Sequence, residues 1–131
     1  MIMNGKFFRC SKCGNIIYLM EGDASRISCC GESMEELIPG FAEASREKHI
    51  PCVTIADGKV SVQVGSAVHP MLDGHYIEWI AAEKSDGDIT IKYLKPGEEP
   101  SASFCITDGR ISRVYAYCNL HGLWMHDPEQ K

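Results

Sequence analysis

The chain has 131 residues, 44% hydrophobic and 24% charged, with a formal charge of −5, room for one modest domain or for a core with a smaller module stapled by something other than apolar burial. The acidic balance argues against nucleic acid as the main partner, because phosphate binding needs clustered Lys and Arg, and no segment reaches the roughly 18–20 apolar residues of a membrane span. The start, MIMNGKFFRC, carries no apolar signal region, so a cytoplasmic protein is expected.

Residues 1–38 form the first module, with four of the seven cysteines and too few apolar residues for a free-standing core. A strand is predicted over Ile16–Met20, with a turn at Glu21–Asp23. CSKCG places Cys10 and Cys13 on one tight turn that Gly14 can close, and Cys29 and Cys30 follow as an adjacent pair where an ordinary zinc ribbon would repeat C-x2-C. Without an export signal, cysteines at such spacing indicate metal rather than disulfides. Four thiolates and no nearby histidine imply tetrahedral zinc or iron. A zinc knuckle that only staples the fold and an electron-carrying mononuclear iron both remain open on spacing alone.

Residues 39–50 form a linker leading into His49, and Phe41–Lys48 suits at most a turn or two of helix. Over residues 51–131 short alternating runs predict strands at Cys52–Ala56, Val60–Val64, Tyr76–Glu83, Ile89–Leu94, Ser103–Thr107 and Ile111–Tyr117, with hairpin turns at Asp57-Gly58, Asp86-Gly87 and Asp108-Gly109. Such a string of short antiparallel strands implies a mainly β fold, a small sandwich or barrel. If each hairpin reverses direction, the start of the first strand, the Gly65–His75 and Lys95–Pro100 loops and the loop from Cys118 share one end. His49, His69, His75, Cys118 and His121 all fall there.

A lone histidine is more often a satisfied core or surface residue than a ligand. Four histidines and a cysteine directed to one end of a sheet reverse that preference. Imidazoles suit iron, copper, nickel or zinc, and a single thiolate favours a redox metal. Four imidazoles in a plane with the thiolate on one axis would leave the opposite position open for chemistry, and a net positive centre would attract a small anion despite the acidic total.

CSKCGN, CC, EKHIP, VGSAVHPM, HYIEWI, LKPGE and YCNLHGLW occur in an order and spacing that resemble the desulfoferrodoxins, two-iron superoxide reductases, over essentially the whole chain. The resemblance implies a small desulforedoxin-like FeS4 domain joined to an immunoglobulin-like antiparallel β-sandwich. It implies two mononuclear irons: one on Cys10, Cys13, Cys29 and Cys30, where zinc can substitute, and one on equatorial His49, His69, His75 and His121 with axial Cys118. The implied activity is one-electron reduction of superoxide to hydrogen peroxide for detoxification, with rubredoxin or a similar small carrier as donor and a homodimeric assembly.

Glu47 and Lys48 precede the first ligand. An isolated Glu-Lys pair is usually a solvated surface pair; here they resemble the family's mobile iron-capping Glu and its superoxide-steering Lys. Cys52 and Cys105, flanked by apolar residues within strands, are expected to be buried free thiols, His126 to be exposed in the polar tail, and Trp79 and Trp124 to be core or site-wall aromatics. Two rival readings compete. A blue-copper carrier would use Cys118, His121 and Met125 but leaves three histidines over-supplied; a zinc-stapled binding module leaves the C-terminal constellation idle.

Overall fold

The computed structural model describes residues 5–40, 49–65, 69–105 and 110–126; Phe41–Lys48 and the Asp108-Gly109 turn lie outside them. The chain divides into two compact units, Met1–Ile38 and Pro39–Lys131. Among the described residues the regular structure of both is almost entirely β-strand, joined in the first unit by a short 3-10 turn at Ala24–Arg26.

In the first unit, β1 (Lys6–Arg9), β2 (Ile16–Leu19) and β5 (Glu35–Glu36) form a three-stranded antiparallel sheet in the order β2-β1-β5. The two-residue strands β3 (Ser28–Cys29) and β4 (Glu32–Ser33) make a separate ribbon. Phe7, Phe8 and Cys10 are the buried hydrophobic residues of this unit among those described. The KFFR strand goes beyond the expected elements, since four residues without clean alternation give no periodic signal.

The second unit is the expected antiparallel sandwich. β6 (Pro51–Ala56), β7 (Lys59–Val64) and β10 (Ser101–Cys105) form one sheet in the order β10-β7-β6. β8 (Ile77–Lys84), β9 (Ile89–Tyr93), β11 (Ile111–Cys118) and β12 (Gly122–His126) form the other, ordered β12-β11-β8-β9. The β6–β7 hairpin turns on Asp57 and Gly58, both with positive φ (53° and 71°), the backbone that a two-residue primed turn requires. VSVQV shows the period-2 pattern fully: Val60, Val62 and Val64 point inward and join Ile80, Ala82, Phe104, Val114, Ala116 and Cys118 in one core between the sheets.

Register overturns one expectation. Cys52 and Cys105 are exposed, because Cys52 pairs with outward-facing Gln63 and Cys105 with outward-facing Lys59, so the alternation places both thiols on the solvent face. His126 ends β12 opposite Val114 and is half-buried rather than free in a tail. β12 itself is a further strand beyond those expected, because GLWMH is too short and unpatterned to separate from a turn.

Candidate metal centres

The four cysteines of the first unit converge from two turns. Cys10 N donates to Asn15 O and Gly14 N to Cys10 O, both at 2.9 Å, closing a tight knuckle that ends on Gly14 at φ 80°. The adjacent pair is reconciled by backbone geometry. Cys30 adopts φ 53° and Gly31 φ 78°, so the chain reverses within two residues and brings the neighbouring sulfurs to 4.0 Å instead of directing them apart. A non-glycine residue in this region costs about 1–2 kcal/mol, a strain that a shared ligand offsets. Cys13 and Cys29 Sγ lie 3.5 Å apart. A tetrahedron with bonds of about 2.3 Å has sulfur–sulfur edges near 3.8 Å, so the arrangement fits one tetrathiolate ion.

The thiols are unequal. Backbone N–H groups of Cys13 and Lys12 directed at its sulfur draw Cys10 down to about 6. Cys13 and Cys10 beside Cys30 push it up to about 12, and the same neighbours raise Cys29. Four thiolates cannot share this volume without a cation to neutralise them.

In the sandwich, His49 precedes β6, His69 and His75 lie between β7 and β8, and Cys118 and His121 flank the β11–β12 turn. His49, His69, His75 and His121 form a closed ring of imidazoles. Successive centroids are 4.8, 4.8, 5.0 and 4.8 Å apart and each neighbour meets the next edge-on, at 67–79°. The donor atoms of His49, His75, Cys118 and His121 all lie within 4.8 Å of one another, and His69 completes the ring against His49 and His75.

Ring orientation supports metal binding. His69 Nδ1 lies 2.7 Å from Pro70 O; a carbonyl only accepts, so Nδ1 carries the proton and Nε2 keeps its lone pair. That Nε2 is buried and has no hydrogen-bond partner among the described residues, a placement that is costly unless a cation fills the gap. Burial also pulls His69 down to about 4, which keeps it neutral. His49 Nε2 and His121 Nδ1 are 3.1 Å apart, close to the roughly 3 Å that separates two nitrogens at right angles on one ion with bonds of about 2.1 Å. Cys118 Sγ lies 3.8 Å from His121 Nδ1. Cys118, His49 and His69 are buried and His121 is exposed, so the cluster has a closed floor and a solvent side. Burial raises the Cys118 thiol, and an ion binding there would displace its proton.

Two β-sheet details set these positions. A register shift between Tyr117 and Cys118 places Cys118 opposite Ile77, and such a bulge re-aims a side chain at the end of a ladder. Asn119 then ties the cysteine turn to the histidine loop. Its Nδ2 donates to Gly74 O at 3.1 Å, its Oδ1 accepts from Tyr76 N at 2.9 Å, and its own N–H donates to Tyr76 O at 3.2 Å. These bonds straddle His75. The sequence does not single out Asn119 as the tie between these two segments; only its place beside Cys118 in CNLHG marks it.

The blue-copper alternative fails on register. Met125 pairs with Tyr115, on the sheet face opposite that shared by Cys118, Ala116 and Trp124. Glu47 and Lys48 lie outside the described residues.

Residues 41–127 match the desulfoferrodoxin family model, and residues 3–37 match the model of the desulfoferrodoxin N-terminal domain. The chain belongs to the desulfoferrodoxin family. A desulfoferrodoxin homolog of Archaeoglobus fulgidus is 42% identical over 117 residues, covering 89% of this chain and 92% of that protein. A desulfoferrodoxin of Nitratidesulfovibrio vulgaris is 40% identical over 119 residues, covering 91% and 93%. The crystal structure of the superoxide reductase from Treponema pallidum superposes with a TM-score of 0.81 at 33% identity, over 95% of this chain and 98% of that one. The four-cysteine cluster and the cluster of four histidines and one cysteine match the two iron centres of a desulfoferrodoxin, which makes the chain an iron-binding protein of an oxidoreductase family.

Proposed function

We propose that this desulfoferrodoxin is a superoxide reductase: superoxide takes one electron and two protons and leaves as hydrogen peroxide. The observation that carries this reading is the ring of four imidazoles closed over the buried thiol of Cys118, on the solvent-facing end of the sandwich. When bound, iron at His49, His69, His75, His121 and Cys118 supplies a one-electron ferrous/ferric couple tuned by thiolate donation.

The protein residues do the remaining work. Neutral imidazoles add no charge, so the cluster with one thiolate keeps a net positive centre that draws an anion. The buried side of the ring excludes water from the sulfur, and the exposed His121 side admits a small substrate. Lys48, beside His49 in sequence, would steer the anion and help place the water that delivers protons, and Glu47 would supply a carboxylate to the centre when iron is bound. A small electron carrier of the rubredoxin kind restores the reduced state. Residues 1–38 act as the FeS4 domain and residues 51–131 as the catalytic domain, with 39–50 as the linker.

Electron stoichiometry tests the proposal. With excess reductant, the protein should produce hydrogen peroxide equal to the superoxide consumed, with no dioxygen evolved. Dioxygen released alongside half that peroxide would identify dismutation, and an unchanged rate of superoxide decay would remove the activity altogether.

A further inference from the structure

Trp124 has contacts that a wall residue would not need. Its indole stacks on the His49 imidazole with centroids 4.8 Å apart and planes 19° from parallel, and its Nε1–H donates to His121 O at 3.1 Å. Two ligands that are 72 residues apart in sequence, with ring nitrogens 3.1 Å from each other, are thus held by one side chain. His69 and His121 meet His49 edge-on, whereas the indole lies flat against it. Rotating the imidazole about its side-chain bond would lose that face contact.

The same indole receives the chain before the first ligand. Gly40 forms a parallel bridge to Trp124, with Gly40 N donating to Leu123 O at 2.9 Å and Met125 N to Gly40 O at 3.1 Å. A Cβ on Gly40 would lie 2.9 Å from two carbons of the six-membered ring, closer than real side chains approach. Gly40 and His49, the residues flanking 41–48, both rest against Trp124, which is itself 4% exposed.

We infer that Trp124 is a positioning residue of the histidine–cysteine centre, setting the plane of His49 and the backbone of His121, with Gly40 required so that the indole can lie where it does. This role presupposes the iron-site reading above. Partners of this kind behind metal-binding imidazoles change metal affinity by about 10- to 100-fold when removed.

The test uses the iron-loaded full chain as wild type, Trp124→Leu, Trp124→Phe and Gly40→Ala. The readouts are the rate at which a ferrous chelator strips iron from the histidine–cysteine centre and the energy of that centre's ferric thiolate band, with the tetrathiolate iron as internal reference. Trp124→Leu should release iron about 10- to 100-fold faster with a displaced band. Trp124→Phe, which retains a ring but no N–H, should fall between it and wild type. Gly40→Ala should displace the band in the same direction although every ligand and the indole remain. Release from the tetrathiolate centre should be unchanged throughout. An indole that merely filled space would lower the melting temperature of Trp124→Leu while leaving band and release rate at wild-type values in all variants, and that result would overturn the inference. Should Trp124→Leu not fold, Trp124→Phe and Gly40→Ala distinguish the same two outcomes. A wild-type protein that takes iron only at the tetrathiolate centre would overturn the site reading instead, an outcome visible before any variant is made.

Discussion

The two cysteine-containing centres reach metal-binding geometry by opposite routes. In the first unit the strands are two to four residues long, and Cys13 and Cys30 stand exposed on turns. Thiolate character there comes from backbone N–H groups aimed at Cys10. In the sandwich, Cys118 is fully buried within the inter-sheet core, and burial resists its ionisation. Each buried Val or Ile of that core contributes about 1.5–3 kcal/mol, and the first unit has little of this kind to draw on. In the small unit, then, the metal is expected to make the fold, whereas in the sandwich the packed core sets out the ligands.

Metal removal should separate the two most sharply. Stripping both centres should unfold residues 5–38 while the sandwich stays folded, because a tetrathiolate site carries roughly 10 kcal/mol or more of a small module's folding energy. Hydrogen exchange before and after chelation would read this directly, and lasting protection of Phe7 and Phe8 amides in the metal-free protein would break the contrast. Next in size, Cys118→Ser should abolish the thiolate band of the second centre and slow superoxide reduction by about 100-fold or more, since a ligand matters at least as much as its supporting shell; the tetrathiolate spectrum should be unaltered.

Asn119→Ala removes two side-chain bonds that flank His75. It should cost the sandwich about 1–3 kcal/mol, measured by denaturant titration, and should speed iron loss from the second centre alone. Lys48→Met should slow the superoxide encounter by about threefold to tenfold at low salt, and by less as salt screens the charge, with the iron spectrum unchanged. A second-order rate equal to wild type at low ionic strength would remove Lys48 from the mechanism.

A separate effect concerns the metal-free sandwich. Burial lowers His69 from 6.5 to about 4, so between those values the unfolded chain binds the proton and the folded chain does not. Stability present above pH 6.5 should therefore decline as pH falls through this window and level off below about 4. Thermal melts of the metal-free protein across that range would show it, and His69→Gln should flatten the slope.

Much of the site is legible in the chain because its ligands are rare residue types gathered in short motifs: the CSKCG knuckle, the paired cysteines and the CNLHG turn each point to their own chemistry. Strands with strong alternation, such as VSVQV, are equally legible. Short strands without alternation, β1 and β12, are not, and with β12 goes the role of Trp124. Cys52 and Cys105 turn out exposed because their apolar neighbours on the strand point to the other face, and only register tells which face meets the core.

Residue type and local spacing were enough for the candidate ligands, the turn chemistry and the contrast between a cysteine-rich start and a run of short strands. How adjacent cysteines can share an ion emerges only in the folded chain, through the left-handed backbone of Cys30. So do the side of the imidazole ring that faces water and the neutral groups, Asn119 and Trp124, that hold the ligands in place. Those features arise from hydrogen bonds and ring contacts, many of them between segments dozens of residues apart, which no local pattern encodes.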